Sequence, residues 1–272
     1  MPITYYLIDA FTATRFRGNP AAVCLMDSPI EDSVMQAIAA ELNLSETAFL
    51  YRSDSGSPGY QIRWFTPQIE VSLCAHATLA ASAVVFSELQ ANDESITYQS
   101  RSGQLVARRS TAGITLDFPA DTWESMPAPP DMLTALGLET CLDTFYGQRT
   151  GKLIIRIDRP EHIRLIKPNF DAMLRVQSDR PIRGVAVTAR AVDRYDFVSR
   201  YFNPWGGVNE DSVTGSVHTV LAPYWGELLA KQELMAYQAS PRGGELRIRL
   251  LGEGRLEISG QTVMVGKGEL FV

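Results

Sequence analysis

The 272-residue chain holds only three cysteines, Cys24, Cys74 and Cys141, an odd number with no zinc-type spacing. A disulfide framework is therefore not expected, and a reducing compartment fits best. Lysine is scarcer than usual, with Lys152, Lys167, Lys231 and Lys267 alone, and the formal net charge is -6. A nucleic-acid binder would show a basic stripe, so no nucleic-acid partner is expected. No stretch approaches the roughly 20 apolar residues of a membrane span. Met1-Pro2-Ile3-Thr4-Tyr5 shows no basic region leading into an apolar one, so no signal peptide is expected. These absences predict a cytoplasmic protein without a membrane partner. His76, His162 and His218 do not stand at metal-ligand spacings, so no metal is expected. A Walker loop, a dinucleotide glycine fingerprint and a Gly-x-Ser-x-Gly elbow are all missing, and no lysine has an evident Schiff-base context. What remains is a packed globular chain, 45% hydrophobic and 21% charged, of a length for one large domain or two modest ones.

Strand-like runs dominate. Ile3 to Ala10 and Ala21 to Met26 flank the turn signature Arg17-Gly18-Asn19-Pro20. Ser28-Pro29-Ile30-Glu31-Asp32 then opens a helix, with Pro29 in its first turn and Val34, Ile38 and Leu42 on one stripe. Glu46 to Tyr51 and Gln61 to Thr66 read as strands. Cys74 to Leu89 carries no charge before Glu88, and a helix apolar on all sides is buried on all sides. Strands follow near Ile96–Gln99, Leu105–Arg108 and Ile114–Asp117, then a connector at Met126-Pro127-Ala128-Pro129-Pro130. The second half offers strands at Leu153–Ile157, Gly184–Thr188 and Phe197–Phe202. A mostly apolar helix runs from about Ser216 to Leu229, and strands cluster from Leu234 to Val272.

The two halves echo one another. Arg63-Trp64-Phe65-Thr66-Pro67 resembles Arg200-Tyr201-Phe202-Asn203-Pro204, and 200 − 63 = 137 is close to half of 272. Each pentapeptide is followed by an acid, Glu70 or Glu210, and then by an apolar helix. Cys74-Ala75-His76-Ala77-Thr78-Leu79-Ala80 answers to Thr214-Gly215-Ser216-Val217-His218-Thr219-Val220. Duplication predicts two pseudo-symmetric lobes, residues 1–125 and 126–272, with the closing strand of the first supplied from the C-terminus. A cleft between lobes is a preferred place for a ligand, and the active site is expected there.

Each central helix begins in a segment suited to an anion, because a helix N-terminus offers unpaired N–H groups and partial positive charge. Ser72 and Thr214 are equally readable as plain caps. Glu46 is the only charged residue between Glu41 and Arg52. Burial at the start of an apolar strand would raise its pKa and suit it to proton transfer, whereas exposure at a strand end would leave it ordinary. His76 reads as a site residue or as a satisfied core histidine. Asp211 reads as a site residue or as a dipole partner for the second helix. These polar groups suit proton chemistry without a cofactor.

Taken together, Gly18-Asn19-Pro20-Ala21-Ala22-Val23, Leu44-Ser45-Glu46-Thr47-Ala48-Phe49, Trp64-Phe65-Thr66-Pro67, Leu73-Cys74-Ala75-His76-Ala77-Thr78-Leu79-Ala80, Glu210-Asp211-Ser212-Val213-Thr214-Gly215-Ser216 and Gln238-Ala239-Ser240-Pro241-Arg242-Gly243-Gly244 resemble the phenazine biosynthesis PhzF-like isomerase family. The resemblance spans the chain. It implies an α+β, diaminopimelate epimerase-like fold, with each lobe a curved barrel-like sheet around a central helix. It also implies a homodimer and cofactor-free isomerisation of a small carboxylated substrate such as dihydro-3-hydroxyanthranilate. Carried over by motif, Glu46 becomes the proton shuttle, with His76 and Asp211 as further catalytic groups. Ser45, Cys74, Ala75, Thr214, Gly215 and Ser216 become substrate-binding residues. Two positions depart from the family pattern. Ala75 replaces a glycine, which would narrow the pocket if that backbone needs positive φ. Ser212 replaces a proline, which would loosen the turn before the second helix. An epimerase using two opposed thiols and a non-catalytic binding protein are the alternatives on such a fold.

Overall fold

The computed structural model describes residues 2–52, 59–89 and 93–272. The chain divides into two units, Met1–Asp117 with Ile258–Val272, and Phe118–Glu257. The division falls earlier than the 125/126 boundary expected, and the C-terminal segment belongs to the first unit. The cause is strand pairing: Thr262–Leu270 runs antiparallel to Ile3–Ala10, from Ile3 opposite Leu270 to Ala10 opposite Thr262. In the second unit the corresponding neighbour is local, since Trp123–Ser125 pairs with Asp143–Gly147.

The two units repeat one pairing order. In the first, Asn19–Leu25 lies parallel to Glu46–Arg52, which is antiparallel to Tyr60–Phe65, which in turn pairs with the short Glu70–Val71. After the central helix Ala75–Glu88, the strand Ser95–Ser100 returns parallel to Tyr60–Phe65 and turns back into Gly103–Ser110. In the second, Lys152–Arg156 lies parallel to Val185–Arg190, which is antiparallel to Phe197–Asn203, which pairs with Val208–Asp211. After the helix Gly215–Leu229, Glu233–Gln238 returns parallel to Phe197–Asn203 and turns back into Gly244–Gly252. Parallel neighbours need a crossover. In both units one crossover is the central helix.

The central helices are buried around their whole circumference. From His76 to Phe86 only Ala83 escapes full burial, and the helix packs on the strands Ile3–Ala10, Asn19–Leu25 and Glu46–Arg52. Its alanines admit this close backbone approach. Its interior hydroxyls bond within the helix, Thr78 Oγ1 donating to Cys74 O at 2.5 Å and Ser82 Oγ to Thr78 O at 2.7 Å. Outer helices cover the other sheet faces. Asp32–Leu42 sets Met35, Ile38 and Ala39 against Phe49 and Phe65. It begins at Asp32 behind Glu31, so Pro29 precedes the helix rather than opening it. In the second unit the short helices Pro130–Leu136, Pro160–Ile163 and Phe170–Arg175 do this work with Met132, Leu136, Ile163 and Met173. At four to seven residues they leave no periodic signal, and the first begins within the expected connector. No helix among the described residues is long and apolar enough to cross a membrane.

The repeated pentapeptide proves to be structural. Arg63 forks onto Glu70, Nε to Oε1 at 2.8 Å and Nη2 to Oε2 at 2.7 Å. Arg200 forks onto Glu210 at 2.7 and 2.8 Å. The guanidiniums also lie 5.2 Å from the Phe65 ring and 4.9 Å from the Phe202 ring. Each fork ties the long strand to the short strand that leads into the central helix. Arg200 is the more buried, and its Nη1 also donates to the carbonyls of Ile163 and Ile166 at 3.1 and 2.7 Å. Removing a buried partner leaves its carboxylate and carbonyls unpaired, which costs about 3–5 kcal/mol. Arg200→Ala is thus expected to lower stability by that amount in urea unfolding. Arg63→Ala should cost less, because Arg63 is more exposed and Arg101 also contacts Glu70.

Candidate functional site

In the first unit the turn before Asn19 is held by Gly18 at φ +66, where a Cβ would lie 2.1 Å from Ala10 O. That turn delivers Asn19, 1% exposed, to the start of its strand. The parallel neighbour starts at Glu46, which stands opposite Ala21. Ser45 immediately precedes it, with Oγ 3.3 Å from Asn19 Oδ1 and 3.4 Å from Pro20 O. His76, in the first turn of the central helix, meets both residues. Its Nε2 lies 3.2 Å from Glu46 Oε2 and 3.3 Å from Ser45 Oγ, and its Nδ1 lies 3.5 Å from Cys74 Sγ. Glu46 keeps a 20% exposed side chain, whereas His76 and Cys74 are buried.

These contacts join three proton-bearing side chains through one ring. Nδ1 faces the Cys74 thiol, and Nε2 faces both Glu46 and Ser45. The chain of contacts ends on a glutamate whose side chain is partly open to solvent, the placement a general acid/base requires. Ala75 has no left-handed φ, so this position is helical and does not need a glycine. The helix is capped by Cys74, not Ser72, and the Cys74 side chain makes no capping hydrogen bond.

Glu46, Cys74 and His76 also bring ligand-type atoms within 4.8 Å of one another. Histidine spacing could not reveal this, because the donors come from a strand and a helix start. Cys74 and Glu46 address different imidazole nitrogens, and one ion takes only one of them. The three are better arranged as a proton chain than around a common centre. The remaining thiol of this unit, Cys24, is inert: burial pushes it up to about 12.

In the second unit the corresponding helix start is built differently. Thr214 is the N-cap, and its Oγ1 donates to Asp211 Oδ2 at 2.6 Å rather than to the helix. Gln238 holds the preceding turn, its Oε1 accepting from Thr214 N at 2.8 Å and its Nε2 donating to Asp211 O at 2.7 Å. Ser240 Oγ donates to Ser212 O at 2.7 Å. The loosening expected of Ser212 is thus offset by the Gln238–Ser240 segment. Gly215 is buried and Ser216 is exposed. Ser216 Oγ accepts from Lys152 Nζ. Further along, Pro223 has no N–H for Thr219 O, and Asp121 N donates to that carbonyl instead at 3.0 Å. The structure therefore groups Ser45, Glu46, Cys74, Ala75 and His76 in one unit, and Asp211, Thr214, Gly215 and Ser216 in the other. Asn19, Gln238 and Lys152 were not among the expected site residues. Asn19 and Gln238 lie within the motifs already singled out. The signal for Lys152 was a lone cation opening the apolar run Leu153-Ile154-Ile155.

The fold is of the diaminopimelate epimerase-like class. A family model for phenazine biosynthesis-like proteins matches residues 8–268, and the chain belongs to that PhzF family. A Mus musculus phenazine biosynthesis-like domain-containing protein is 42% identical, with 99% of each chain covered. A Pseudomonas aeruginosa protein described as an uncharacterized isomerase is 43% identical, with both chains fully covered. The crystal structure of a PhzF-family protein from Enterococcus faecalis matches with a TM-score of 0.93 at 39% identity over the whole of both chains.

His218 supplies a pH-dependent term. It is fully buried against Phe197, its Nδ1 lies 2.7 Å from Thr214 O, and its Nε2 has no hydrogen-bond partner among the described residues. Burial pushes its pKa down to about 4, so the folded protein keeps it neutral. The unfolded chain binds the proton nearer 6.5, the ordinary value. Between these values the unfolded state carries more protons, so stability falls as pH falls. The full effect is roughly 3 kcal/mol. Urea unfolding from pH 7 to pH 4 should show this loss, and His218→Asn should flatten the slope.

Proposed function

We propose that the protein is a cofactor-independent isomerase that moves a proton between carbons of a small, unsaturated carboxylated substrate, with Glu46 as the single acid/base. The observation that carries this reading is the chain of contacts Cys74–His76–Glu46, which ends on a partly exposed carboxyl group. Glu46 takes a proton from an activated carbon, and the electron pair left behind shifts the adjacent double bond. The protonated Glu46, partly open to solvent and so able to exchange its proton with water, then delivers a proton to the far carbon and is regenerated. His76 and Ser45 hold the carboxylate in place across both steps, which is the kind of positioning that lowers barriers by several kcal/mol. A dihydroanthranilate-type acid fits this chemistry, since proton loss from it extends conjugation. A pair of opposed thiols does not fit: the position that answers to Cys74 in the second unit is Thr214, also an N-cap.

The test is deuterium incorporation in heavy water, followed by NMR with dihydro-3-hydroxyanthranilate and related unsaturated carboxylates. Exchange into substrate or product is expected with the native protein. In Glu46→Gln it should fall by about 10²–10⁴-fold, with the fold intact by circular dichroism. Near-normal exchange in that variant would remove Glu46 from the role. Inactivation by a thiol reagent that substrate prevents would shift the role to Cys74.

A further inference from the structure

Lys152 is a buried amine for which the proton chemistry above has no use. It opens the strand Lys152–Arg156 and is 6% exposed. An ammonium has three donors. Here the hydrogen-bond acceptor is one neutral hydroxyl, Ser216 Oγ, and the Tyr201 ring lies 5.0 Å from Nζ. The nearby carboxylates are committed to other groups. Asp121 accepts from Arg149 N at 2.8 Å, from Thr150 N at 2.9 Å and from Thr150 Oγ1 at 2.7 Å. Asp211 accepts from Thr214 Oγ1. Among the described residues no carboxylate oxygen forms an ion pair with Nζ. A buried charge left this way is costly unless something completes its shell.

The completing group has a way in. Ser216 is exposed and stands in the first turn of Gly215–Leu229, where the N-cap side chain makes no hydrogen bond to the helix. Ser216 thus stands at the surface in the first turn of the helix while its Oγ holds the buried Lys152 amine behind it, a set of donors that matches a carboxylate.

We propose that Lys152 and Ser216 form a carboxylate-binding subsite in the second unit, and that Lys152 is the residue that selects an anionic ligand over its neutral isostere. That this ligand is the isomerase substrate rests on the reading above; the subsite itself does not. Burial holds the Lys152 ammonium down to about 7, against the fields of Asp211 and Asp121, which favour the charged form. His218 faces it as a neutral ring, and Tyr201, pushed up by its own burial, stays neutral as well. An arriving carboxylate adds the missing counter-charge, so binding should draw a proton onto the amine. Linkage gives the sign: the anion should bind more tightly as pH falls through about 7, and the Lys152 midpoint should rise when it is bound.

The test uses the full chain labelled with ¹³Cε-lysine. Its other lysines, Lys167, Lys231 and Lys267, are exposed and can be assigned by single Arg replacements. Benzoate is the probe and benzamide the neutral control. The Lys152 resonance should titrate near pH 7 in the free protein and shift upward by at least one pH unit with saturating benzoate, while benzamide leaves it in place. Calorimetry should show benzoate binding about fivefold more tightly at pH 6 than at pH 8 for a one-unit shift, rising toward tenfold for a larger one. Lys152→Met should lose at least tenfold in benzoate affinity, with Ser216→Ala as the milder variant should Lys152→Met fail to fold. A Lys152 resonance indifferent to benzoate, or equal affinity at the two pH values, overturns the proposal. The two readings fail separately. Glu46→Gln should bind benzoate as the native protein does, so loss of exchange with retained benzoate binding supports both. Retained exchange in Glu46→Gln sinks the shuttle and leaves the subsite standing.

Discussion

A helix that is apolar around its whole circumference must be covered around its whole circumference, and each unit of this protein is shaped by that requirement. A flat sheet buries one stripe of a helix. Covering every side takes strands that curve around it, and here the helix is itself the crossover that joins two of them. The few polar groups on its flanks bond within the helix or to the strands around it. The first turn is the exception, because its N–H groups have no partners within the helix. Polar chemistry collects there in both units, around His76 in one and around Ser216 in the other.

The repeat separates scaffold from chemistry. Arg63–Glu70 and Arg200–Glu210 make the same fork in the same place, holding the short strand that aims the chain at the helix start. One turn into each helix, Thr78 and His218 both meet the carbonyl four residues back. At the intervening positions the units part company. Cys74 and His76 make a proton chain that ends on Glu46, whereas Thr214 and Ser216 engage an aspartate and a lysine. On the reading proposed above, a common frame carries a base in one copy and donors suited to an anion in the other.

Much of this is legible in the sequence. The central helices, the strands around them and the duplication follow from local pattern: unbroken apolar runs, β-branched clusters and a pentapeptide that recurs at half the chain length. The short outer helices were not legible, because four to seven residues cannot display a 3.6-residue period. Nor were the short strands Glu70–Val71 and Trp123–Ser125, which exist only through their neighbours.

The residue types at the site were set by the sequence alone: a lone glutamate at a strand start, a histidine and a cysteine at a helix start, and a matching Thr-Gly-Ser opposite them in the repeat. Tertiary structure decided what those types do. Only the parallel pairing of Asn19–Leu25 with Glu46–Arg52 brings Asn19 near Ser45, and only the helix between them lets one imidazole touch Ser45, Glu46 and Cys74. Lys152 is the clearest case. In sequence it is one of four lysines, but folding places it 64 positions from Ser216 along the chain and in hydrogen-bond contact with it. The physical reason is general. Periodicity and propensity act over a few residues, whereas the state of a titratable group depends on burial and on charges that only a closed fold brings near.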